Sequence, residues 1–166
     1  MTIHKAIIKA VKTIHAQLRE DEHLVYYEND FAVRFYHELM KDKATRNLGI
    51  TTEWAVGDRK HLDMVIYDKS EIEPDGKCKG LDWIKVKHFK ALLQFKVGWG
   101  RSDKDKIEVS KKDFKILKQN KNKADRLYYI FIDPCLKKFD ISKLNASKDI
   151  ALIYCNPILN KQPLEK

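Results

Sequence analysis

Two polar residues interrupt an otherwise apolar strand-like segment of the chain, ALLQFKV at positions 91–97. In a β-strand, side chains alternate between the two faces, so Gln94 and Lys96 would share one face with Leu92. A buried amide or ammonium group costs several kcal/mol unless it has a partner. Any fold of this chain must therefore supply partners for Gln94 and Lys96, which indicates a polar site inside a sheet.

The length and composition indicate one globular domain. The chain has 166 residues, of which 43% are hydrophobic, enough to bury a single core. No apolar run approaches the roughly 18 residues that span a bilayer, and residues 1–23 lack the uninterrupted apolar segment of a signal peptide. Three widely separated cysteines predict reduced thiols and no zinc site. We therefore expect a cytoplasmic protein that does not bind membranes.

The charge of the chain favours an anionic partner. The formal net charge is +9, and between Lys104 and Lys123 eight lysines face only three acidic residues. Such a block attracts polyanions through counterion release. A solvated helix face is the alternative interpretation of the same residues. The charge therefore suggests nucleic acid without establishing it.

Hydrophobic periodicity predicts two helices and a hairpin in the first half of the chain. Apolar residues at three- and four-residue intervals predict helices over 2–19 and 28–40. Alternation predicts strands over 50–56 and 61–68, joined by the turn GDRK. A turn at the PDG of 74–76 and an extra strand near WIKVK, 83–87, are expected next.

The second half predicts three further strands and a helix. After strand 91–97 and a loop, a helix is expected over 110–120, capped by Ser110, with Phe114 and Leu117 inward. RLYYIFID and DIALIYC have the composition of central strands, with a helical turn between them that begins at Asp140. The predicted fold is one α/β domain with a mixed central sheet flanked by helices. Its parts are a covering helix and loop (1–27), a core (28–157) and a tail (158–166).

An aspartate inside strand 61–68 adds a carboxylate to the polar site. If this strand neighbours 91–97, Asp63, Gln94 and Lys96 converge where the two strands diverge. The Asp63 carboxylate, the Gln94 amide oxygen and the backbone carbonyl of Phe95 are hard oxygen ligands, which suit Mg²⁺ or Mn²⁺. Alternation places three apolar residues on the face opposite to Asp63: Leu62, Met64 and Ile66.

This arrangement resembles the PD-(D/E)XK nuclease superfamily. The core of that superfamily runs helix, three strands, helix, strand, with an aspartate on the second strand and an acidic-x-lysine tripeptide on the third. HLD and QFK occupy those places here. The resemblance covers about residues 28–133, and the archaeal Holliday-junction resolvases are the branch most similar in pattern. It implies a restriction-endonuclease-like αβββαβ core with an additional N-terminal helix.

The resemblance also implies a glutamate at the start of the first core helix. Glu28 is followed by apolar residues three and seven positions later, as in that branch, and so extends the buried stripe of the helix. A carboxylate there is costly without a metal or a cation nearby. Glu38 is the alternative, because its distance in sequence to Asp63 is nearer that of the short family members. Glu53 and His61 are expected to be exposed or structural residues.

The function implied is metal-dependent hydrolysis of phosphodiester bonds in double-stranded or branched DNA. Asp63, Gln94, the Phe95 carbonyl and Glu28 would hold Mg²⁺ or Mn²⁺, and Lys96 would orient the attacking water. Branched or double-stranded substrates need two cuts, which suggests a homodimer. Basic residues after strand 91–97 are expected to contact the nucleic acid backbone: Arg101, Lys104, Lys106, Lys111, Lys112 and Lys115.

Two residues depart from the superfamily pattern. Leu62 replaces the proline, which is common among members, and Gln94 replaces the usual acidic residue. Glutamine keeps an oxygen donor but removes a negative charge, so metal affinity should fall. A nucleic-acid-binding module on a nuclease scaffold, with little or no cleavage, is therefore the alternative function. A third interpretation is a protein-binding domain that its lysines merely solubilise.

Overall fold

The structure, a computed structural model, describes residues 2–21, 25, 27–57, 60–73, 85–98 and 101–166. The helices in these ranges are α1 (Ile3–Glu20), α2 (Glu28–Met40) and α3 (Asp103–Gln119). The strands are β1 (Gly49–Gly57), β2 (Lys60–Tyr67), β3 (Ile72–Glu73), β4 (Lys85–Val86), β5 (Ala91–Val97), β6 (Leu127–Ile132), β7 (Ile150–Cys155) and β8 (Leu164–Glu165). Short 3₁₀ turns span Lys69–Glu71, Lys121–Lys123 and Ile141–Leu144.

Six of these strands form one mixed sheet in the order β1-β2-β5-β6-β7-β8. β5, β6 and β7 are parallel, and the other neighbours are antiparallel. The predicted α/β class with a mixed sheet is confirmed, as is the β1–β2 hairpin. β4 pairs with β3 in a separate two-stranded sheet and accounts for the extra strand expected near WIKVK. Residues 58–59 of the hairpin turn and the expected PDG turn lie outside the described residues.

Helices cover both faces of the sheet. The α1–α2 face packs Ile7, Phe35 and other apolar helix residues against Phe95 and Tyr128. The α3 face packs Phe114 and Leu117 against its own set of strand residues, which includes Tyr129. Every residue of β6 is buried and nearly all of β7 is buried, which confirms the prediction of central strands.

The first two helices match their sequence patterns closely. The side chain of Thr2 caps α1 by accepting from the backbone N–H of Lys5, and α1 is displaced by one residue from its predicted range. The bounds of α2 are those predicted, and its two phenylalanines pack against Phe95, with ring centroids of Phe31 and Phe95 5.1 Å apart.

No helix in the described ranges has the length and apolarity to cross a membrane.

Helix α3 begins seven residues earlier than predicted. Ser102, and not Ser110, is the N-cap, and its hydroxyl accepts from the N–H of Asp105. Ser110 lies inside the helix, where its hydroxyl donates to the carbonyl of Lys106. The two inward-facing residues of the first turns, Lys106 and Ser110, are both polar, so the sequence has no apolar stripe there. This is why periodicity missed the start of the helix.

Lys106 is a buried structural residue. It is only 2% exposed, and its Nζ lies 2.9 Å from Oδ2 of Asp133. The hydroxyl of Tyr154 donates to the same oxygen at 2.8 Å, and the ring of Phe139 lies 5.2 Å from the ammonium. The expectation that Lys106 contacts nucleic acid is therefore wrong, because its charge is neutralised inside the α3 face.

The C-terminal residues belong to the sheet. Residues 158–166 were expected to form a tail, but β8 within them pairs antiparallel with β7. A strand of two residues is too short to show alternation in a sequence. The predicted helical turn after Asp140 is confirmed as the 3₁₀ turn Ile141–Leu144, with the Asp140 carboxylate accepting from the N–H of Ser142.

We expect the Lys106–Asp133 pair to be essential for stability. Lys106→Ala should lower the free energy of unfolding by about 3–5 kcal/mol, because it leaves the buried Asp133 carboxylate without its cation. Lys104→Ala, at an exposed position of the same helix, should change it by less than about 0.5 kcal/mol. Urea unfolding followed by circular dichroism measures both. Equal effects of the two substitutions would contradict the assignment.

Candidate active site

Strands β2 and β5 separate in the middle of the sheet. Their antiparallel ladder has three residue pairs and ends at Met64. On the other side of β2, Glu53 of β1 has a φ of 53°, in the left-handed region, and does not pair with Asp63 although the residues around both do. Leu62 consequently packs on the α3 face, opposite to Met64. The expected sharing of one face by Leu62, Met64 and Ile66 is therefore wrong.

Side chains replace the missing ladder between β2 and β5. Oε1 of Gln94 accepts from the N–H of Asp63 at 3.2 Å, and Nε2 of Gln94 donates to the carbonyl of His61 at 3.0 Å. The N–H of Phe95 donates in turn to Oδ2 of Asp63 at 2.5 Å. Gln94, only 3% exposed, thus uses both ends of its amide to hold the two strands together.

Lys96 lies at the centre of the polar site. Its Nζ is 2.9 Å from Oε1 of Glu28 and 3.6 Å from Oδ2 of Asp113, and its side chain is 15% exposed. Burial opposes the charged form of Lys96, but the negative charges of Asp113, Glu28 and Asp63 outweigh that effect and raise its pKa above the ordinary value. Lys96 is therefore a fixed positive charge at neutral pH.

Two of the surrounding carboxyl groups have strongly raised pKa values. Burial raises the pKa of Asp63 to about 7, opposed by the hydrogen bond from Phe95 and reinforced by the charges of Asp113 and Glu28. Burial also raises the pKa of Asp113 to about 6, although Lys96 opposes the shift. Three carboxyl groups thus act on one ammonium group. Acidic groups outnumber basic groups in this site, and a cation would offset the excess of negative charge.

The structure places Glu28, and not Glu38, beside this cluster. Glu28 is the first residue of α2, where the helix dipole favours a carboxylate, and it reaches Lys96 because the same helix packs on Phe95. Glu38 pairs with Lys41 one turn further along the helix surface. Of the two alternatives left open by the sequence, Glu28 is the one that contacts Lys96.

Asp113 is a site residue that the sequence did not reveal. Its side chain is 14% exposed and points inward from α3, where it interacts with the hydroxyl of Tyr129. That hydroxyl also lies 2.8 Å from Oγ of Ser110. Oδ2 of Asp113 has no hydrogen-bond partner in the described part of the chain. In the sequence, Asp113 is one acid among many lysines, so only the helix start at Asp103 could have indicated that it faces the sheet.

The donors in the site fit a hard divalent cation in chemistry. The carbonyl of Phe95 faces β2, as its N–H does, because the two backbone groups of one strand residue point to the same neighbouring strand. It therefore lies on the side of the Asp63 carboxylate, beyond the end of the ladder. Within the described residues, however, no three His, Cys, Asp or Glu side chains are arranged to hold a metal ion. A cation here would depend on amide and backbone oxygens.

The basic residues predicted to contact nucleic acid have different environments. Arg101, Lys104, Lys111 and Lys115 are exposed. Lys112 is also exposed and lies 3.6 Å from Glu108. Two residues weighed from the sequence are on the surface: Glu53 is exposed, and the exposed His61 contributes only its backbone carbonyl to Gln94, with its ring 3.4 Å from the carbonyl of Glu53.

Comparison of the chain with protein-family models, with curated proteins and with solved structures finds no match. The geometry of the site is therefore the basis for assigning a function.

The raised pKa of Asp63 predicts a pH-dependent stability. The unfolded chain loses the Asp63 proton near the ordinary value of 3.8, whereas the folded protein holds it to about pH 7. The folded state therefore holds the Asp63 proton between these values, and the contribution of Asp63 to the free energy of unfolding falls as the pH rises from 4 to 7. Asp113 acts in the same direction up to about pH 6. Asp63→Asn should flatten this fall in urea titrations at several pH values.

The control for this experiment is Asp105→Asn. The hydroxyl of Ser102 lowers the pKa of the exposed Asp105 carboxyl, so this variant should keep the wild-type slope above pH 4. An Asp63→Asn variant as steep as the wild type would show that Asp63 is not the group responsible.

Gln94→Glu should destabilise the fold. A carboxylate cannot donate to the carbonyl of His61, so one buried hydrogen bond becomes a repulsive contact, at a cost of about 1–3 kcal/mol. Gln119→Glu, an exposed change of the same kind on α3, should cost less than about 0.5 kcal/mol. Thermal unfolding measures both, and a Gln94→Glu variant as stable as the wild type would contradict the bridging role of the amide.

Proposed function

We propose that the protein is a metal-dependent nuclease that hydrolyses phosphodiester bonds in DNA, on a restriction-endonuclease-like core. The order of α2, β1, β2, β5, α3 and β6, with β3 and β4 inserted before β5, supports this proposal, because it resembles the helix, three strands, helix, strand of the PD-(D/E)XK superfamily. The positions of Asp63 on β2 and Lys96 on β5 correspond to the aspartate and lysine of that pattern.

The observation that carries the proposal is the cluster around Lys96. An ammonium group with three carboxyl groups near it, one of them with a pKa of about 7, is an expensive arrangement in a sheet. A purely structural ion pair needs only one acid for each base. The excess of carboxyl groups is accounted for if the site receives a cation and a phosphodiester.

Each residue of the cluster has a role in this proposal. Asp63, the Phe95 carbonyl, the free lone pair of the Gln94 amide oxygen and Glu28 would hold Mg²⁺ or Mn²⁺. Such an ion polarises a phosphoryl oxygen and lowers the pKa of a bound water.

Lys96 acts as a charged group and not as a base, because its pKa is raised. It donates hydrogen bonds to the attacking water or to the phosphoryl oxygen on which negative charge develops. Glu28 and Asp113 hold its ammonium group in place, so Asp113 is a positioning residue.

A second function is favoured by one specific observation. Both ends of the Gln94 amide are engaged in holding β2 to β5, so Gln94 serves the fold whether or not a metal binds. A nucleic-acid-binding module without cleavage would retain this bridge. Its surface charge would still provide affinity for a polyanion.

Several expectations accompany the nuclease proposal. Double-stranded or branched DNA is the proposed substrate, since backbone contacts from exposed basic residues position a duplex without selecting a sequence. A homodimer would provide the two cuts that such DNA requires. A cytoplasmic location stays a prediction.

We expect cleavage of supercoiled plasmid and of a four-way DNA junction in the presence of Mg²⁺ or Mn²⁺. Asp63→Ala and Lys96→Ala should each reduce the cleavage rate at least about 100-fold, because each removes a charge that acts on the reacting phosphate. Asp113→Asn should reduce it by about 10-fold, since Asp113 positions Lys96 and does not itself act on the reacting phosphate. Asp149→Ala and Lys161→Ala remove an acid and a base at exposed positions and should leave the rate unchanged.

Three outcomes would contradict the proposal. Wild-type protein that binds DNA but does not cut it with either metal would support the binding module, as would cleavage gained only by Gln94→Glu. Cleavage that survives Asp63→Ala and Lys96→Ala would show that the reaction occurs elsewhere or comes from a contaminant.

A further inference from the structure

A groove on the α3 face is separate from the candidate active site. It lies between α3 and the 3₁₀ turn Ile141–Leu144, with a volume of about 530 Å³. Its floor is formed by Phe114 and Leu144, both almost fully buried. Lys111, Lys115 and Lys118 form its wall.

The groove has positive charge without compensation. Its three lysines are exposed and follow one another at intervals of four and three residues, so they lie on one side of α3. In the described ranges, none of the three has a carboxylate within ion-pair distance, whereas the neighbouring Lys112 and Lys121 each have one. The described residues that line the groove include no acidic one. A ligand that carries several negative charges would complement it.

The groove faces away from the Lys96 cluster. On a helix with 3.6 residues per turn, Lys111, Lys115 and Lys118 lie about 140–160° around the axis from Asp113. Asp113 points towards Lys96, so the lysines point towards the opposite side of α3. A strand that occupies this groove is therefore not at the position where the reaction is proposed to occur.

A second groove on the surface of α1 provides a comparison. It is lined by Lys5, Lys9 and Lys12, which have the same spacing as the lysines of the α3 groove, and has a volume of about 590 Å³. Here, however, Lys9 lies 3.7 Å from Asp42, and Glu165 is part of the lining. Charge complementarity to a polyanion is therefore weaker than in the α3 groove.

We propose that the α3 groove binds the sugar–phosphate backbone of the nucleic acid at a distance from the scissile bond. The proposal rests on the proposed function for the identity of the ligand, but not on hydrolysis. The buried floor of Phe114 and Leu144 shapes the groove, and the lysines contact phosphates, so binding is independent of sequence. A bound strand would thus be held on one side of α3 and cut on the other.

The test is a binding assay without divalent metal, so that cleavage cannot interfere. A fluorescein-labelled 30-base-pair duplex is titrated with wild-type protein, with Lys111→Ala/Lys115→Ala/Lys118→Ala, and with Lys5→Ala/Lys9→Ala/Lys12→Ala. Both triple variants lose the same charge, and circular dichroism checks their folding. Anisotropy is recorded between 50 and 300 mM salt.

We expect the α3 triple variant to bind about 100-fold more weakly near 0.1 M salt, with a logarithmic salt slope less steep by about 2–3. The α1 triple variant should stay within about 3-fold of the wild type. Lys111→Arg/Lys115→Arg/Lys118→Arg should bind like the wild type, since charge and not lysine is required.

Equal losses in the two alanine variants would overturn the groove assignment, because net charge alone would then explain binding. The groove assignment would also be overturned if a poly-glutamate peptide bound with the same affinity as DNA and lost that affinity equally in the α3 triple alanine variant. The two proposals can fail separately: loss of binding in the α3 variant, together with absent cleavage by the wild type, would retain the groove and overturn hydrolysis. If the wild type cleaves DNA, and the α3 triple alanine variant binds and cleaves DNA as well as the wild type does, the hydrolysis proposal would be retained and the groove assignment overturned.

Discussion

The hydrogen bonds of the Gln94 amide are the constraint on which the site depends. β2 and β5 must separate for the Asp63 carboxylate to lie between them, yet a separation in the middle of a sheet leaves backbone groups without partners. The amide satisfies one N–H and one C=O of β2 at once, and Asp63 satisfies the N–H of Phe95. A glutamate at position 94 could accept but not donate, so this particular separation requires glutamine.

The charges of the site follow from that separation. Lys96 emerges from β5 on the α3 face, and its ammonium is reached from two helices, by Glu28 of α2 and by Asp113 of α3. The packing of Phe31 and Phe35 against Phe95 fixes where α2 begins relative to β5. The core on one face of the sheet therefore positions an acidic group of the polar site on the other. The raised pKa of Asp63 follows mainly from its burial between the strands, and the charges of Asp113 and Glu28 raise it further.

Periodicity predicted the parts of the fold in which apolar residues face the core. Such patterns predicted the bounds of α2 and the presence of β1, β2, β5, β6 and β7. Periodicity also placed Gln94 and Lys96 on one face of β5, whereas the contact between Asp63 and Gln94 depends in addition on β2 and β5 being neighbours. It failed where polar residues face inward, because Lys106 and Ser110 interrupt the stripe of α3 and concealed both the helix start and the orientation of Asp113. It also failed at Leu62, because the left-handed backbone of Glu53 on the neighbouring strand has no signature in the sequence of β2.

Helix α3 contributes to two groups of charged residues: the Lys106–Asp133 pair and the cluster around Lys96. They differ in charge balance and in access to solvent, and this difference distinguishes a structural ion pair from a candidate site. Lys106 has one acid, Asp133, and both are fully buried, so the charges balance inside the protein and no ligand can reach them. Lys96 has several acids, and Glu28 beside it is 35% exposed, so the charges do not balance and the cluster is open to solvent. A buried ion pair with equal numbers of acidic and basic groups, and no access to solvent, is part of the fold. A solvent-accessible cluster with more acidic than basic groups is stabilised when it binds a cation. Of these two ionic groups in the described part of the chain, the cluster around Lys96 is the one that a ligand can reach.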